Sequence, residues 1–158
     1  MRRILNPKIM TKEQIMAGLN DIAYVLGVDV PILEIEEVKF FPTPTTLAVY
    51  SQQNDERKII VSKALLQQEP FRIAFSLAHE MRHLWQIENG VFPNSYLLPN
   101  STDLETYNLQ PHEIDANAFA NLYIRCVFRR GLDLCISPTV SNAIEQRIAE
   151  IKPIYCKK

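Results

Sequence analysis

The feature that most constrains this chain is a long apolar segment that also carries ionisable groups. Residues 71–88, FRIAFSLAHEMRHLWQIE, are apolar nearly all round, which is typical of a helix at the centre of a domain. Two of the three histidines, His79 and His83, lie in this segment with Glu80 between them. Burying such groups is costly unless something compensates for the lost water, and a metal ion would do so. The segment therefore predicts a central helix whose polar strip faces a cleft.

The spacing H-E-x-x-H points to a specific metal chemistry. Residues four apart lie on one face of a helix, so His79 and His83 can offer ring nitrogens to one ion. Glu80 lies about 100° further round and reaches water beside the metal instead of the metal itself. This arrangement is typical of zinc metalloproteases, with two histidine ligands and a glutamate as general base. The sequence thus predicts zinc as cofactor and Glu80 as the catalytic residue; the alternative is two ordinary helix histidines.

A zinc site of this kind needs a third protein ligand, and the next predicted helix, residues 111–130, offers candidates. Glu113 shares a strip with small and apolar residues, which favours an inward orientation and the role of ligand. His112 is the alternative, either as third ligand or as an oxyanion donor. Asp115 points about 200° away from Glu113, so it is expected to face solvent. Asn117, one turn after Glu113, is expected to hydrogen-bond a ligating imidazole.

Between the two helices lies a long segment, residues 89–110, that is rich in proline and asparagine and has no clear period. Loops of this length in a compact domain are usually functional or mobile. We expect it to be the most mobile part near the cleft. Tyr96 and Tyr107 are candidate oxyanion donors within it.

The remaining segments predict an α+β fold. Thr11 to Gln14 forms a capping box at the start of a helix over residues 11–26, and Gly27 is a plausible stop. A last helix is expected from the cap Ser137 to residue 151, and Gly131 is expected to end the helix before it. Strands are expected within residues 30–41, 45–51 and 57–62, with 45–51 as the candidate sheet edge.

The composition limits the partners. A chain of 158 residues with 47% hydrophobic residues is expected to form a single domain over residues 1–158. The formal net charge of −1 gives no electrostatic case for direct nucleic-acid or membrane binding. The N-terminus lacks the apolar core of a signal peptide, so a cytoplasmic location is expected. The three cysteines are read as reduced thiols; a disulfide between two of Cys126, Cys135 and Cys156 is the alternative.

Taken together, the two motifs resemble those of one known family. The stretch FSLAHEMRH, followed about thirty residues later by EIDANAFA, resembles the ImmA/IrrE family of zinc metallopeptidases, within the gluzincin class. The resemblance covers roughly residues 57–125. Glu113 stands at the position of that family's third ligand, and Arg82 stands where glycine is usual. The positions that match the rest of the second motif are Ala116, Asn117, Phe119 and Ala120.

The resemblance implies a minimal zincin-type fold. Such a fold has a small mixed or antiparallel sheet, helices on one side, and a cleft between the motif helix and an edge strand. It also implies a protein or peptide substrate, and family members often cleave a transcriptional repressor. Two alternatives stay open: a catalytically idle zincin-fold binding or structural module, and a phage or other mobile-element protease with a non-regulatory substrate.

Overall fold

The computed structural model describes residues 10–43, 45–92 and 102–156. These ranges form five α-helices and three strands, and the expected α+β class is confirmed. In chain order the elements are α1 (Lys12–Leu26), β1 (Ile32–Glu36), β2 (Ala48–Gln53), β3 (Glu56–Ser62), α2 (Pro70–Glu88), α3 (Leu104–Asn108), α4 (Pro111–Phe128) and α5 (Pro138–Tyr155).

The sheet is small and mixed, with strand order β1-β3-β2. The central strand β3 pairs parallel with β1 and antiparallel with β2. Asn54 and Asp55 link β2 to β3 with φ values of 50° and 65°, the left-handed conformation that a two-residue hairpin favours. The predicted edge strand in residues 45–51 is confirmed, because β2 pairs with β3 alone within the described sheet.

Helix α2 is the central element, as its sequence predicts. It packs against β2 and β3 on one side and against α1 and α4 on the other, while α5 covers α4. Leu77, Met81 and Leu84 of α2 are buried in the same hydrophobic cluster as Ile59 and Val61 of β3. A helix covered on so many sides cannot carry the polar outer face of a surface helix.

The local signals at helix ends are also confirmed. Thr11 accepts a hydrogen bond from the backbone N–H of Gln14, and the Gln14 side chain accepts one from the Thr11 backbone N–H. Gly27 ends α1 at φ 69°, a conformation in which glycine carries no steric cost. Ser137 caps α5 by accepting from the backbone N–H of Val140.

Three boundaries differ from the expectation. The strand expected to continue to residue 41 ends at Glu36, because Glu36 pairs with Ser62 at the end of β3; a 3-10 turn, Val38–Phe40, follows. Helix α4 ends at Phe128 instead of Gly131, with Arg129 in the left-handed region at φ 59°. The segment treated as one loop contains α3. Residues 93–101, including Tyr96, lie outside the described ranges, so the expected mobility there stays a prediction.

Candidate metal centre

Helix α2 brings the two histidines of the motif together. The Nε2 atoms of His79 and His83 lie 3.1 Å apart, as one turn of helix allows for rings that lean the same way. Pro70 occupies the first turn of α2, where a missing N–H costs nothing, and the apolar flanks anchor the helix in the core. Two imidazole nitrogens this close need a proton or a cation between them.

Glu113, in the first turn of α4, contacts both histidines of this pair. One of its carboxylate oxygens lies 3.2 Å from His79 Nε2 and the other lies 3.1 Å from His83 Nε2. Only 6% of the Glu113 side chain is exposed. The sequence expectation that Glu113 points inward, toward the histidines, is therefore met by the position of its side chain.

These three groups are spaced as ligands of one small cation would be. At metal–ligand distances of about 2.0–2.2 Å, neighbouring corners of a tetrahedron lie about 3.3–3.5 Å apart. The separations observed between His79, His83 and Glu113 are 3.1–3.2 Å. The donor set of two imidazoles and one carboxylate can hold a divalent transition metal, and it leaves a coordination position open.

Glu80 has a different position from Glu113. Ligand-type atoms of His79, Glu80 and His83 lie within 4.8 Å of one another, so Glu80 is near the same point in space. Its Oε2, however, accepts a 2.9 Å hydrogen bond from the backbone N–H of Tyr50 in the edge strand β2. Of the two glutamates, Glu113 is thus the one whose oxygens contact both ring nitrogens, whereas Glu80 bonds to strand β2.

The electrostatics of the metal-free site follow from this crowding. Burial opposes ionisation of Glu113, but the two histidines beside it hold the pKa of its carboxyl well below the usual range. Burial opposes protonation of His83 as well, yet its hydrogen bond to Glu113 and the charges of Glu80 and Glu113 raise its pKa to about 9. At neutral pH the site thus holds a proton on His83, next to an ionised carboxylate.

Burial raises the pKa of Glu80, with partial compensation from the charges of His83 and His79. A carboxyl group whose pKa moves up toward neutrality is better suited to accept a proton and release it again.

Two further candidates lie at the same centre. The hydroxyl of Tyr107 donates a 3.1 Å hydrogen bond to Glu113, and burial raises the pKa of that phenol. The His112 Nε2 lies 3.6 Å from Glu113, and burial lowers the pKa of His112, which favours its neutral form. His112 is thus farther from Glu113 than the two helix α2 histidines are. An oxyanion role for Tyr107 or His112 stays a prediction.

The expectation that Asp115 faces solvent is wrong. Asp115 is fully buried, and its carboxylate accepts bonds from Arg82 at 2.7 and 3.0 Å and from Arg147 at 2.8 Å. The reason is tertiary: α4 is covered by α2 on one side and by α5 on another, so the helix has little solvent face at this point. Arg82, at the position where the resembled family usually has glycine, provides the buried charge that pairs with Asp115.

The expectation that Asn117 hydrogen-bonds a ligating imidazole is also wrong. The side chain that bonds such a ring is Gln86, whose Oε1 lies 3.0 Å from His83 Nδ1. The buried Nδ1 of His79 has no hydrogen-bond partner among the described residues. Sequence reasoning missed Gln86, although a polar residue three positions after His83 in an apolar helix was a usable signal.

Among the helices in the described ranges, none has the length and apolar character needed to cross a bilayer. Comparisons with protein-family models, curated proteins and solved structures found no match to this chain. The family resemblance of the two motifs therefore stays a prediction, and the functional argument rests on the geometry of His79, His83, Glu113 and Glu80.

Proposed function

We propose that the chain is a zinc-dependent endopeptidase, with His79, His83 and Glu113 as metal ligands and Glu80 as general base. The observation that carries this proposal is that two glutamates near the same histidines make different contacts. Glu113 contacts both ring nitrogens, whereas Glu80 accepts a hydrogen bond from the backbone of the edge strand. A metal site with an open position and a separate base is suited to hydrolysis.

Zinc supplies Lewis acidity when bound, since it polarises a carbonyl group and makes water easier to deprotonate. The chain supplies the proton transfers. Glu80 accepts a proton from the attacking water and then delivers it to the leaving amine, which its raised pKa favours. The backbone N–H that now binds Glu80 belongs to Tyr50, so the base lies next to the strand along which a peptide would be held.

Strand β2 supports a peptide as the substrate class. The Tyr50 N–H points away from β3 and toward Glu80 of α2, so the unpaired edge of β2 lies next to Glu80. An extended peptide can add to such an edge as a further strand. A linker or a loosened loop satisfies this requirement, whereas a folded surface would first have to unfold locally. A regulatory protein as substrate, such as a transcriptional repressor, rests on the family resemblance alone.

The test is co-expression with candidate regulatory proteins from the same genome, followed by mass spectrometry of the intact products. We expect the native chain to cut a partner at one or a few bonds. The Glu80→Gln variant should keep its fold and its zinc but lose cleavage, because Gln cannot accept the proton. Equal cleavage by this variant would remove Glu80 from the mechanism, and metal-dependent hydrolysis of a lipid, glycan or nucleotide alone would contradict the peptidase proposal.

A further inference from the structure

A continuous chain of hydrogen bonds links His83 to a buried carboxylate that does not touch the site. His83 Nδ1 lies 3.0 Å from Gln86 Oε1. The amide nitrogen of Gln86 then donates to Asp115 at 2.8 Å and to the backbone carbonyl of His112 at 3.0 Å. Gln86 is only 1% exposed, so bulk water does not replace these partners.

The orientation of the Gln86 amide is fixed by what surrounds it. Asp115 and the His112 carbonyl both accept hydrogen bonds at this point, so the NH₂ group of Gln86 must face them. The amide oxygen is then the group left to face His83. Since an amide oxygen can only accept, His83 Nδ1 must carry the proton of this hydrogen bond.

Asp115 is held as an acceptor by two arginines. Arg82 donates to both of its oxygens, at 2.7 and 3.0 Å, and Arg147 donates to one at 2.8 Å. Carboxylate oxygens that accept from two guanidinium groups do not donate, so Asp115 cannot bond to the oxygen of Gln86 and cannot stabilise the flipped amide.

We propose that Asp115, acting through Gln86, positions His83 so that Nε2 is the nitrogen offered to the metal. This inference rests on the proposed zinc site and assigns Gln86 and Asp115 as positioning residues. Hydrogen-bond partners behind metal ligands orient the ring and increase the ligand's basicity. This relay, the hydrogen-bonded chain Asp115–Gln86–His83, also gives Arg82 a function, because its two hydrogen bonds hold the Asp115 carboxylate in place as an acceptor.

The test compares Gln86→Met with Gln68→Met, a control on an exposed residue, in the zinc-loaded full-length chain. Zinc affinity is measured by competition with a chromophoric chelator, and the exchange of the His83 Nδ1 proton with water is measured by ¹⁵N-resolved NMR. We expect Gln86→Met to weaken zinc binding about 10- to 100-fold and to speed that proton exchange. The control should change neither, and circular dichroism checks that both variants fold.

The outcomes separate this inference from the proposed function. Failure of the native chain to bind zinc would contradict the zinc site itself. If the native chain binds zinc and Gln86→Met has the same zinc affinity and the same proton exchange, only the relay is overturned. The native chain provides a further check that needs no variant: zinc bound through Nδ1 of His83, with the proton on Nε2, would also overturn the relay.

A second, independent observation concerns two cysteines outside the site. Cys126 near the end of α4 and Cys156 at the end of α5 have their Sγ atoms 3.3 Å apart, although 30 positions separate them in the chain. Cys126 is exposed and Cys156 is partly exposed, so a small reagent can reach the pair. A disulfide bond requires about 2.05 Å between the sulfurs, a further approach that side-chain rotation can supply.

We infer that Cys126 and Cys156 form a thiol pair that a low-molecular-weight disulfide such as oxidised glutathione converts to a disulfide. One thiolate attacks the reagent, forms a mixed disulfide and releases one glutathione thiolate. The second cysteine thiolate then attacks the cysteine sulfur of that mixed disulfide and releases the other glutathione. The chain loses two protons and two electrons, and the oxidised glutathione is reduced to two thiols.

The bond would join the ends of two helices that pack on one another. The hydroxyl of Tyr155, which precedes Cys156, accepts a 2.6 Å hydrogen bond from Arg82 Nη1. Joining Cys156 to α4 would therefore also restrain the tyrosine that contacts Arg82.

The test treats the full-length chain with oxidised glutathione at mildly alkaline pH, since partial desolvation and the neighbouring Cys156 raise the pKa of the Cys126 thiol. Intact mass spectrometry after alkylation should show one thiol left, and peptide mapping should assign it to Cys135. The Cys135→Ser variant should still lose two thiols and gain thermal stability on oxidation, whereas Cys126→Ser should do neither. Three alkylated thiols, or stable glutathione adducts without a Cys126–Cys156 bond, would overturn this inference.

Discussion

Glu80 and Glu113 are the same residue type within reach of the same two histidines, and their surroundings separate their roles. Glu113 lies between the ring nitrogens with its pKa held low, whereas Glu80 bonds to the edge-strand backbone and has its pKa raised by burial. The proposed hydrolysis requires an ionised ligand and a base of raised pKa, and these two environments suit those roles. At the scale of single residues, environment rather than residue type assigns the chemistry.

The protonation of His83 leads to a pH-dependence prediction for zinc binding. Its pKa of about 9 in the metal-free chain means that the ring is protonated at neutral pH and must lose a proton when it binds metal. Zinc affinity should therefore fall about tenfold for each pH unit below 9 and level off above it. Chelator competition from pH 6.5 to 9.5 measures this slope.

Calorimetry at pH 7 in buffers of different ionisation enthalpy provides the matching check, with release of about one proton per zinc expected from His83. Zinc affinity that does not change between pH 7 and 8.5 would contradict the protonated state assigned to this ring.

At the scale of elements, one buried charge cluster joins three helices. Arg82 of α2, Asp115 of α4 and Arg147 of α5 meet through charge-assisted hydrogen bonds, and Arg82 also stacks 3.7 Å from the centre of the Trp85 ring. A buried ion pair adds little to the free energy of unfolding in itself, but removing one partner leaves a buried charge uncompensated. The packing of α2, α4 and α5 therefore depends on Asp115 staying ionised.

Replacing Asp115 tests that dependence. Asp115→Asn should lower the free energy of unfolding by about 3–5 kcal/mol at pH 7, because Arg82 loses its counter-charge in the core. The Asp115 pKa is lower in the folded chain than in the unfolded one, so this contribution is complete above about pH 4 and decreases as pH falls further. Urea unfolding of the metal-free chain at pH 7 and pH 3.5 measures the difference.

The exposed Asp29 offers a matched control, since Asp29→Asn should change stability by less than about 0.5 kcal/mol at either pH. An Asp115→Asn chain as stable as the native one at pH 7 would show that the cluster does not hold the helices together.

The elements differ in how far the sequence predicts them. Helices α1, α2 and α5 follow from local signals, such as the capping box at Thr11 and the cap at Ser137, which act within a few residues. The pairing of His79 with His83 follows from helical spacing, and the inward orientation of Glu113 follows from the small and apolar residues that share its strip. Asp115 does not, because its burial depends on α5, a helix that lies far along the chain. A single sequence carries no direct record of such contacts.

At the scale of the whole molecule, the candidate site lies where three elements meet. Helix α2 provides His79 and His83, α4 provides Glu113, and the edge strand β2 provides the backbone group that faces Glu80. No one element contains the site, so it exists only when the sheet and both helices are packed together. The long strand edge beside it is what makes a peptide the expected substrate.

A proline in β2 tests peptide binding at that edge. Tyr50 presents its N–H outward, and Gln52, two positions along an antiparallel strand, has the same orientation. Gln52→Pro removes an outward donor while keeping the bonds to β3, a substitution that edge strands tolerate. We expect at least about tenfold slower cleavage of a confirmed substrate, with unchanged zinc affinity.

Gln52→Ala is the control, because it removes the same side chain but keeps the N–H, and it should cleave at close to the native rate. Equal rates for Gln52→Pro and Gln52→Ala would mean that the substrate does not pair with this part of β2.

The central claim is that His79, His83 and Glu113 together hold one zinc ion, and zinc content is its most direct test. The purified native chain is loaded with zinc, dialysed against a weak chelator and analysed by mass spectrometry for metal per chain, alongside His83→Ala, Glu113→Ala and Glu80→Gln. The native chain and Glu80→Gln should each retain one zinc, whereas the other two variants should lose it. A native chain without zinc, or a His83→Ala variant that retains one tightly bound zinc, would contradict the claim.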